Sequence, residues 1–235
     1  MKLKALLIFQ LLLSGTCCDL HAQNISAGLF TGVSNYQGDI VKYQVLPKES
    51  RFAYGGFFRY TLSNKLTIKS NVYFGKLSGS DANFDDRVVR GYSFSTRILE
   101  GGINIEYDIF GKSRQNKKGA FRPVRTPYIF TGIGAVKFNP KAKGLSEDAK
   151  ETKYFESRQS VFNYMIPFGV GYKYDWNENY TFGIEFSSHL PFTDYLDGVS
   201  ESADPNNNDW YVFGGVTASY WFTSYKKKKK SGEKK

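Results

Sequence analysis

Apolar and polar residues alternate in eight short stretches of this chain, and a period of two residues is typical of β-strands that bury one face. In the sixth stretch, Phe162 and Tyr164 alternate with Asn163 and further small or polar residues. The fifth is the least regular, because Ile129 and Ile133 stand opposite residues that are also large and apolar, namely Tyr128, Phe130 and Val136. The pattern predicts strands at 24–34, 51–62, 65–77, 99–108, 126–138, 162–173, 180–189 and 209–222.

The connections between these stretches are, in order, long, short, long, long, long, short and long. Tight turns are predicted at Ser63-Asn64 and at 175–178, whereas long loops are predicted at 35–50, 78–91, 139–160 and 191–208. With both termini in the periplasm, the long loops all lie outside, as in outer-membrane barrels, and only the inner connection 111–125 is unusually long. Lipid offers no hydrogen-bond partners to backbone groups, so a sheet in the membrane must close to pair the groups at its edges. The sequence therefore predicts an all-β, single-domain, eight-stranded antiparallel transmembrane β-barrel of the outer membrane.

Aromatic residues support this topology. The chain has 17 Tyr and 20 Phe, and outer-membrane barrels carry aromatic girdles at both membrane interfaces. The predicted outer girdle contains Phe52, Tyr54, Phe74, Phe138, Phe162, Tyr164 and Trp210, and the predicted inner girdle contains Tyr60, Tyr107, Tyr128, Tyr172, Tyr180, Tyr220 and Phe222. Pro167 lies within a predicted strand and cannot donate a ladder hydrogen bond, so we expect a β-bulge there.

The first 22 residues have the pattern of a secretory signal peptide. Lys2 and Lys4 precede a short apolar run, and small residues lead to Ala22. The run is too short for a spanning helix, which needs about 20 residues. Both cysteines lie in this leader; a lipoprotein anchored through Cys17 is the alternative, although Ser14-Gly15-Thr16 is a poor lipobox. We therefore expect a signal peptide at 1–22, a barrel at 23–224 and a basic periplasmic tail at 225–235.

Charged residues on the predicted inner face must neutralise one another, because eight strands enclose only enough space for side chains. Three cations are available, Arg59, Lys69 and Lys173, and four carboxylates, Glu100, Glu106, Asp108 and Glu185. We expect a structural salt-bridge network that fills the lumen. A conducting channel is the alternative.

A catalytic alternative rests on strand seven, where Ser187, Ser188 and His189 lie close to Glu185. Some outer-membrane lipid hydrolases combine Ser, His and an acid. Alternation directs Glu185, Ser187 and His189 into the lumen, away from lipid, and only Ser188 faces outward. We therefore predict no catalytic residue, no cofactor, no metal site and no small-molecule substrate.

Positive charge is concentrated in two segments of a chain whose net charge is +10. The inner connection contains Lys112, Arg114, Lys117, Lys118, Arg122 and Arg125, and the tail contains Lys226, Lys227, Lys228, Lys229 and Lys230. A basic periplasmic side is suited to an acidic protein partner or to anionic lipid headgroups, and a solvated, disordered tail is a further alternative. Nucleic acid is not an expected partner in this compartment.

Several segments of the chain resemble one family, the PorG-type outer-membrane barrels of the type IX secretion system of Bacteroidota. The matching segments are Ser34-Asn35-Tyr36-Gln37-Gly38-Asp39, 127–134, Phe138-Asn139-Pro140, 166–171 and the loop 192–200, which includes Thr193, Asp194, Tyr195, Leu196 and Asp197. The chain departs from the family pattern at 156–159, at His189 in place of an arginine and at Gly198 in place of an aspartate.

The resemblance implies a non-enzymatic component of the protein secretion machine that ties its periplasmic ring, built from PorK and PorN, to the outer membrane. Outer-membrane lipids and the ring proteins would then be the partners, and gliding motility is a process that this machine can serve. A stand-alone small barrel, adhesin-like or membrane-stabilising, is the first alternative. A lipid-modifying enzyme is the second.

Overall fold

Eight antiparallel strands form one closed sheet. The structure, a computed structural model, describes residues 24–37, 49–80, 93–117, 119–143, 161–192 and 210–222. The strands are β1 (Ile25–Gln37), β2 (Arg51–Thr61), β3 (Leu66–Ser80), β4 (Ser93–Asp108), β5 (Arg125–Lys143), β6 (Val161–Asp175), β7 (Tyr180–Pro191) and β8 (Trp210–Trp221).

Each strand pairs with its neighbours in sequence, and β1 pairs with β8 from Ser26–Trp221 to Gln37–Trp210, which closes the barrel. The predicted fold is confirmed. We call the end that carries the connections β2–β3, β4–β5 and β6–β7 the turn end, and the opposite end the loop end. In the part of the chain that the structure describes, there is no long apolar helix of the kind that crosses a membrane.

The strands run further toward the loop end than the sequence predicted. β1, β3 and β5 reach Gln37, Ser80 and Lys143, inside segments predicted as loops. The physical reason is that strand pairing needs only backbone groups, whereas the sequence pattern depends on contact with an apolar environment. Beyond that environment the ladder continues and the alternation fades.

The outer wall of the barrel is apolar and the interior is mixed. Leu29 and Ile133 are 70% and 72% exposed, and large apolar side chains face outward on every strand. An apolar surface of this extent is far beyond what soluble monomers expose, and it requires lipid. Inside, Phe30, Tyr73 and Phe213 pack ring against ring toward the loop end.

Strand β5 resolves the irregular stretch of the sequence. Ile129 and Ile133 face outward, and Tyr128 and Phe138 are buried in the lumen, so the prediction that these two aromatic residues belong to the girdles is wrong. Tyr128 pairs across the ladder with Gly171, where a side chain would overlap the tyrosine ring. A large residue on β5 and a glycine on β6 thus share one interior position.

The bulge predicted at Pro167 is absent. Pairing between β5 and β6 covers Thr131–Phe168 and continues at Gly134–Met165 in the same register, so no residue is inserted. The ladder is interrupted locally instead, and the Thr131 hydroxyl donates to the Pro167 carbonyl at 3.1 Å. A side-chain donor therefore replaces part of the lost backbone pairing.

Candidate functional sites: the lumen network and the basic cap

A network of ion pairs fills the turn-end half of the lumen. Arg59 Nε lies 3.0 Å from Glu106 Oε1, and Lys69 Nζ lies 2.6 Å from Glu185 Oε2. Lys173 Nζ joins Glu106 at 2.7 Å and Asp108 at 2.9 Å. Three cations therefore face three carboxylates, drawn from β2, β3, β4, β6 and β7. The alternation of each strand directs these side chains inward, and the closed barrel brings them together.

Hydrogen bonds and aromatic rings complete the surroundings of Lys69 and Glu185. The Tyr128 hydroxyl donates to Glu185 Oε2 at 2.7 Å. The ammonium group of Lys69 lies 5.2 Å from the ring centroids of both Phe57 and Phe130, within the range of cation–π attraction. Lys69 itself has no exposed surface. Charges this deeply buried are tolerable only when every one of them is paired and hydrogen-bonded.

Glu100 differs from the other six residues that the sequence assigned to this network. It accepts a hydrogen bond from the Tyr211 hydroxyl at 2.6 Å, and its Oε2 lies 3.1 Å from His189 Nδ1. The ring of His189 stacks on that of Tyr211, with centroids 4.9 Å apart. Glu100 thus belongs to a second polar cluster, nearer the loop end, and no lysine or arginine within the described residues pairs with it.

This second cluster contains a serine, a histidine and an acid in line. Ser187 Oγ lies 2.8 Å from His189 Nε2, on the side of the imidazole away from Glu100. The acid is therefore Glu100 from β4, which the sequence did not suggest, whereas the expected candidate, Glu185, is held by Lys69. Glu100 reaches His189 of β7 and Tyr211 of β8 across the lumen, and sequence alternation carries no information about such contacts.

The serine, the histidine and the acid of this cluster are all buried. Ser187 and His189 are each 2% exposed, and Glu100 is fully buried. A serine nucleophile must touch its substrate, and here the hydroxyl points into a packed lumen. The Ser187–His189 and Tyr211–Glu100 hydrogen bonds satisfy part of the cluster, whereas Glu100 Oε1 is buried without a hydrogen-bond partner among the described residues.

The inner connection 109–124 folds over the turn end of the barrel as a compact cap. A small hairpin is formed by the bridge between Gln115 and Phe121, and the Arg122 amide donates to the Arg114 carbonyl at 2.8 Å. Asp175 fixes the cap to the barrel, because its Oδ2 accepts from the Val124 amide at 3.0 Å. Beneath the cap, a cavity of about 160 Å³ reaches Arg59, Asp108 and Lys173.

Arg114, one of the cations predicted to bind a partner, holds the cap in place, so its side chain is engaged within the molecule. Its Nε lies 2.8 Å from Asp175 Oδ2, and its guanidinium lies 4.0 Å from the centroid of a Trp221 ring. Its side chain is only 14% exposed. The cap is therefore tied to both β6 and β8.

Other cations predicted to bind a partner are exposed at the turn end. Lys112, Lys117 and Arg122 lie on the cap, and Arg125 lies at the start of β5. Lys118 and Lys226–Lys230 lie outside the described residues, as do the loop residues 193–197 and the predicted leader. Within the described residues, no group of three or more potential metal ligands occurs.

Solved structures with a similar fold are small barrels. Neisserial surface protein A gives a TM-score of 0.52 at 9% identity, over 84% of this chain and 96% of that chain. Ail of Yersinia pestis gives 0.44 at 12% identity, over 84% and 98%, and outer membrane protein W of E. coli gives 0.41 at 13% identity, over 85% and 98%. At these identities the likeness concerns the fold alone.

Sequence comparison adds a family. No curated protein matches the chain significantly. A family model described as "Domain of unknown function (DUF6089)" matches residues 4–227 and thus includes all eight strands, the cap and most of the predicted leader. The chain belongs to the DUF6089 family, and its fold is that of the small eight-stranded outer-membrane barrels.

Proposed function

We propose that this chain is a non-enzymatic outer-membrane component of a type IX protein secretion system, in which it anchors or stabilises the periplasmic PorK/PorN ring. The observation that carries the proposal is the cap, which presents exposed Lys112, Lys117 and Arg122 next to exposed Arg125 of β5, at the end of the barrel where β1 begins and β8 ends. In the proposed orientation the turn end faces the periplasm. The apolar wall then lies in the membrane, and the cap and the tail 225–235 are periplasmic.

The interior supports an anchoring role more than transport. An ion-paired network and packed aromatic residues occupy the lumen, and eight strands leave space for little else. Burial of Ser187 and His189 argues against a lipid-modifying enzyme. A barrel of this kind acts through its ends, and the described turn end carries cations that an acidic protein surface would complement.

The proposal is tested by co-purification of ring proteins with the tagged barrel from its native membrane. Reversing Lys117 and Arg122 together to glutamate should weaken recovery of the ring proteins and make the residual binding less sensitive to salt, because these exposed charges steer association. Reversing two exposed cations at the loop end, Arg97 and Lys137, is the matched control and should leave recovery unchanged. Equal recovery from the cap variant and the wild type would contradict a role for the cap.

A stand-alone small barrel, acting through its outer loops or by stabilising the membrane, agrees equally well with the fold. It predicts a different outcome of the same experiment. No ring protein would then co-purify with the wild-type barrel under any salt condition, and removal of the tail would change nothing.

A further inference from the structure

Three cations form a cluster on the outer wall at the loop end. Lys76 on β3, Arg97 on β4 and Lys137 on β5 are all exposed and face away from the lumen. Lys76 pairs directly with Arg97 across the ladder. Arg97 pairs with Asn139, two residues along β5 from Lys137, so Lys137 is its diagonal neighbour. Three positive charges thus occupy adjoining positions on three consecutive strands.

A bound anion would relieve the repulsion within this cluster. Like charges directly opposite each other on a sheet destabilise it, and no carboxylate within the described residues lies on this part of the wall. Glu49, Glu100, Glu106 and Glu185 are buried, and Asp108, Asp175 and Glu178 lie at the turn end. The local charge is therefore uncompensated by the described part of the chain.

An apolar groove begins directly below the cations. It measures about 340 Å³ and is lined by Val72, Leu99, Glu100, Gly101, Ala135, Lys137 and Phe162. Gly101 and Ala135 pair across the ladder and form its floor, because neither has a side chain large enough to fill it. Lys137 lines the groove and also belongs to the cation cluster, so the two features are continuous.

Packing within the barrel does not require a glycine at the floor of the groove. A Cβ atom built on Gly101 would meet its nearest neighbour, the Asn71 carbonyl oxygen, only at 3.7 Å, which is an ordinary contact. A larger residue would therefore fit the barrel and fill the groove. The open groove, like the cation cluster, is left unexplained by the stability of the fold.

We propose that β3, β4 and β5 form a binding site for the lipid A portion of lipopolysaccharide. A phosphate group lies among Lys76, Arg97 and Lys137, and an acyl chain of the same molecule lies in the groove over Gly101. Lipid A carries phosphates at the boundary between its headgroup and its acyl chains, and cations at the edge of an apolar wall match that arrangement. The site assumes, as the proposed function does, that the loop end faces the exterior, where lipopolysaccharide lies.

The test measures how much labelled bisphosphorylated lipid A remains bound to the full-length barrel after refolding in phosphatidylcholine vesicles that contain it. Replacing Lys76, Arg97 and Lys137 together by glutamine should reduce retention roughly a hundredfold, since each basic residue near an anionic surface contributes a factor of about five. Lys65→Gln is the control, because Lys65 is exposed at the opposite end of the same strand. A heat-dependent gel shift verifies folding, and single replacements substitute for the triple variant if it does not fold.

The groove is tested separately with a matched pair of glycines. Gly101→Leu should fill the groove and reduce retention of lipid A roughly tenfold, because methylene groups of the acyl chain would no longer be buried there. Gly56→Leu is the control, because a Cβ on Gly56 also meets its nearest neighbour at 3.7 Å but lies on the wall of β2, outside the groove. Equal retention by both variants would overturn the acyl-chain part of the proposal.

Two further outcomes would overturn it. If enzymatically dephosphorylated lipid A is retained as well as the bisphosphorylated form, the cations do not bind phosphate. If the triple variant retains lipid A normally but loses an acidic protein partner, the cluster is a protein interface. Because ring recovery depends on the cap and lipid retention on the opposite end, failure of either proposal leaves the other measurable.

Discussion

Removing Glu185 should destabilise the barrel by leaving a buried cation without its main partner. Glu185 accepts two short hydrogen bonds from Lys69 Nζ, at 2.7 and 2.6 Å, and one from the Tyr128 hydroxyl. Without it, the nearest carboxylate to Lys69 is Glu106 at 3.8 Å, which is already paired with Arg59 and Lys173. Breaking a buried pair by removing one partner costs about 3–5 kcal/mol. Glu185→Gln should therefore reduce the folding equilibrium constant by a factor of roughly a thousand.

A double variant that removes both Lys69 and Glu185 distinguishes the cost of an unpaired charge from the cost of lost packing. Lys69→Met with Glu185→Gln removes both charges, and it should recover most of the loss, because an uncharged pair of similar volume is often neutral or better. The measurement is reversible urea unfolding in detergent micelles, followed by tryptophan fluorescence, for the wild type and the three variants as a double-mutant cycle. If the two single losses simply add in the double variant, the two groups are not coupled and the network has been misinterpreted.

Three further predictions concern the glycine, the serine and the cap. Gly171→Ala should cost about 1–3 kcal/mol in the same unfolding assay, because the added methyl overlaps a buried tyrosine ring, whereas Gly101→Ala should cost less than about 0.5 kcal/mol; equal effects would contradict the packing. A fluorophosphonate probe should not label Ser187 in the folded barrel, and specific labelling that is lost in Ser187→Ala would reinstate a hydrolase. Arg114→Gln should weaken the attachment of the cap by about 2 kcal/mol and accelerate its cleavage by trypsin, and an unchanged cleavage rate would mean that the guanidinium does not hold it.

The strands were predictable because successive residues of each strand face two different environments in turn, the lipid and the lumen. Alternation identified the eight strands and the inward direction of Arg59, Lys69 and Glu185. It failed on β5 because both faces carry large apolar residues there, and only the glycines on β6 decide that Tyr128 lies inside. A single strand, considered alone, cannot contain that information.

The partners within the lumen were less predictable than its composition. Glu100 carries the same charge as Glu106 and lies on the same face of β4, yet the two belong to different clusters. The difference arises from strand register and from residues across the barrel, such as Tyr211 on β8. In the same way, nothing in the sequence distinguished Arg114, which ties the cap to Asp175, from the exposed cations around it.

The fold of the inner connection was also not predictable from the sequence. Its length and charge predicted a basic segment at the turn end, but its folding depends on contacts with residues distant in sequence. The Asp175 amide donates to the Val124 carbonyl at 3.0 Å, and Asp175 also receives the guanidinium of Arg114. These contacts convert a long loop into a cap, and the distinction matters because a fixed surface can bind a partner without first being ordered.

Electrophoretic mobility of the unheated protein tests the central claim, a closed barrel in the outer membrane, most directly. The outer-membrane fraction of cells that produce the chain is run on a denaturing gel, with one half of each sample boiled and the other half kept cold. A closed ladder of eight strands should resist the detergent, so the cold sample should migrate faster than the boiled one. Identical mobility of both halves in folded material, or recovery of the protein in the soluble periplasm, would contradict the barrel and every proposal that depends on it.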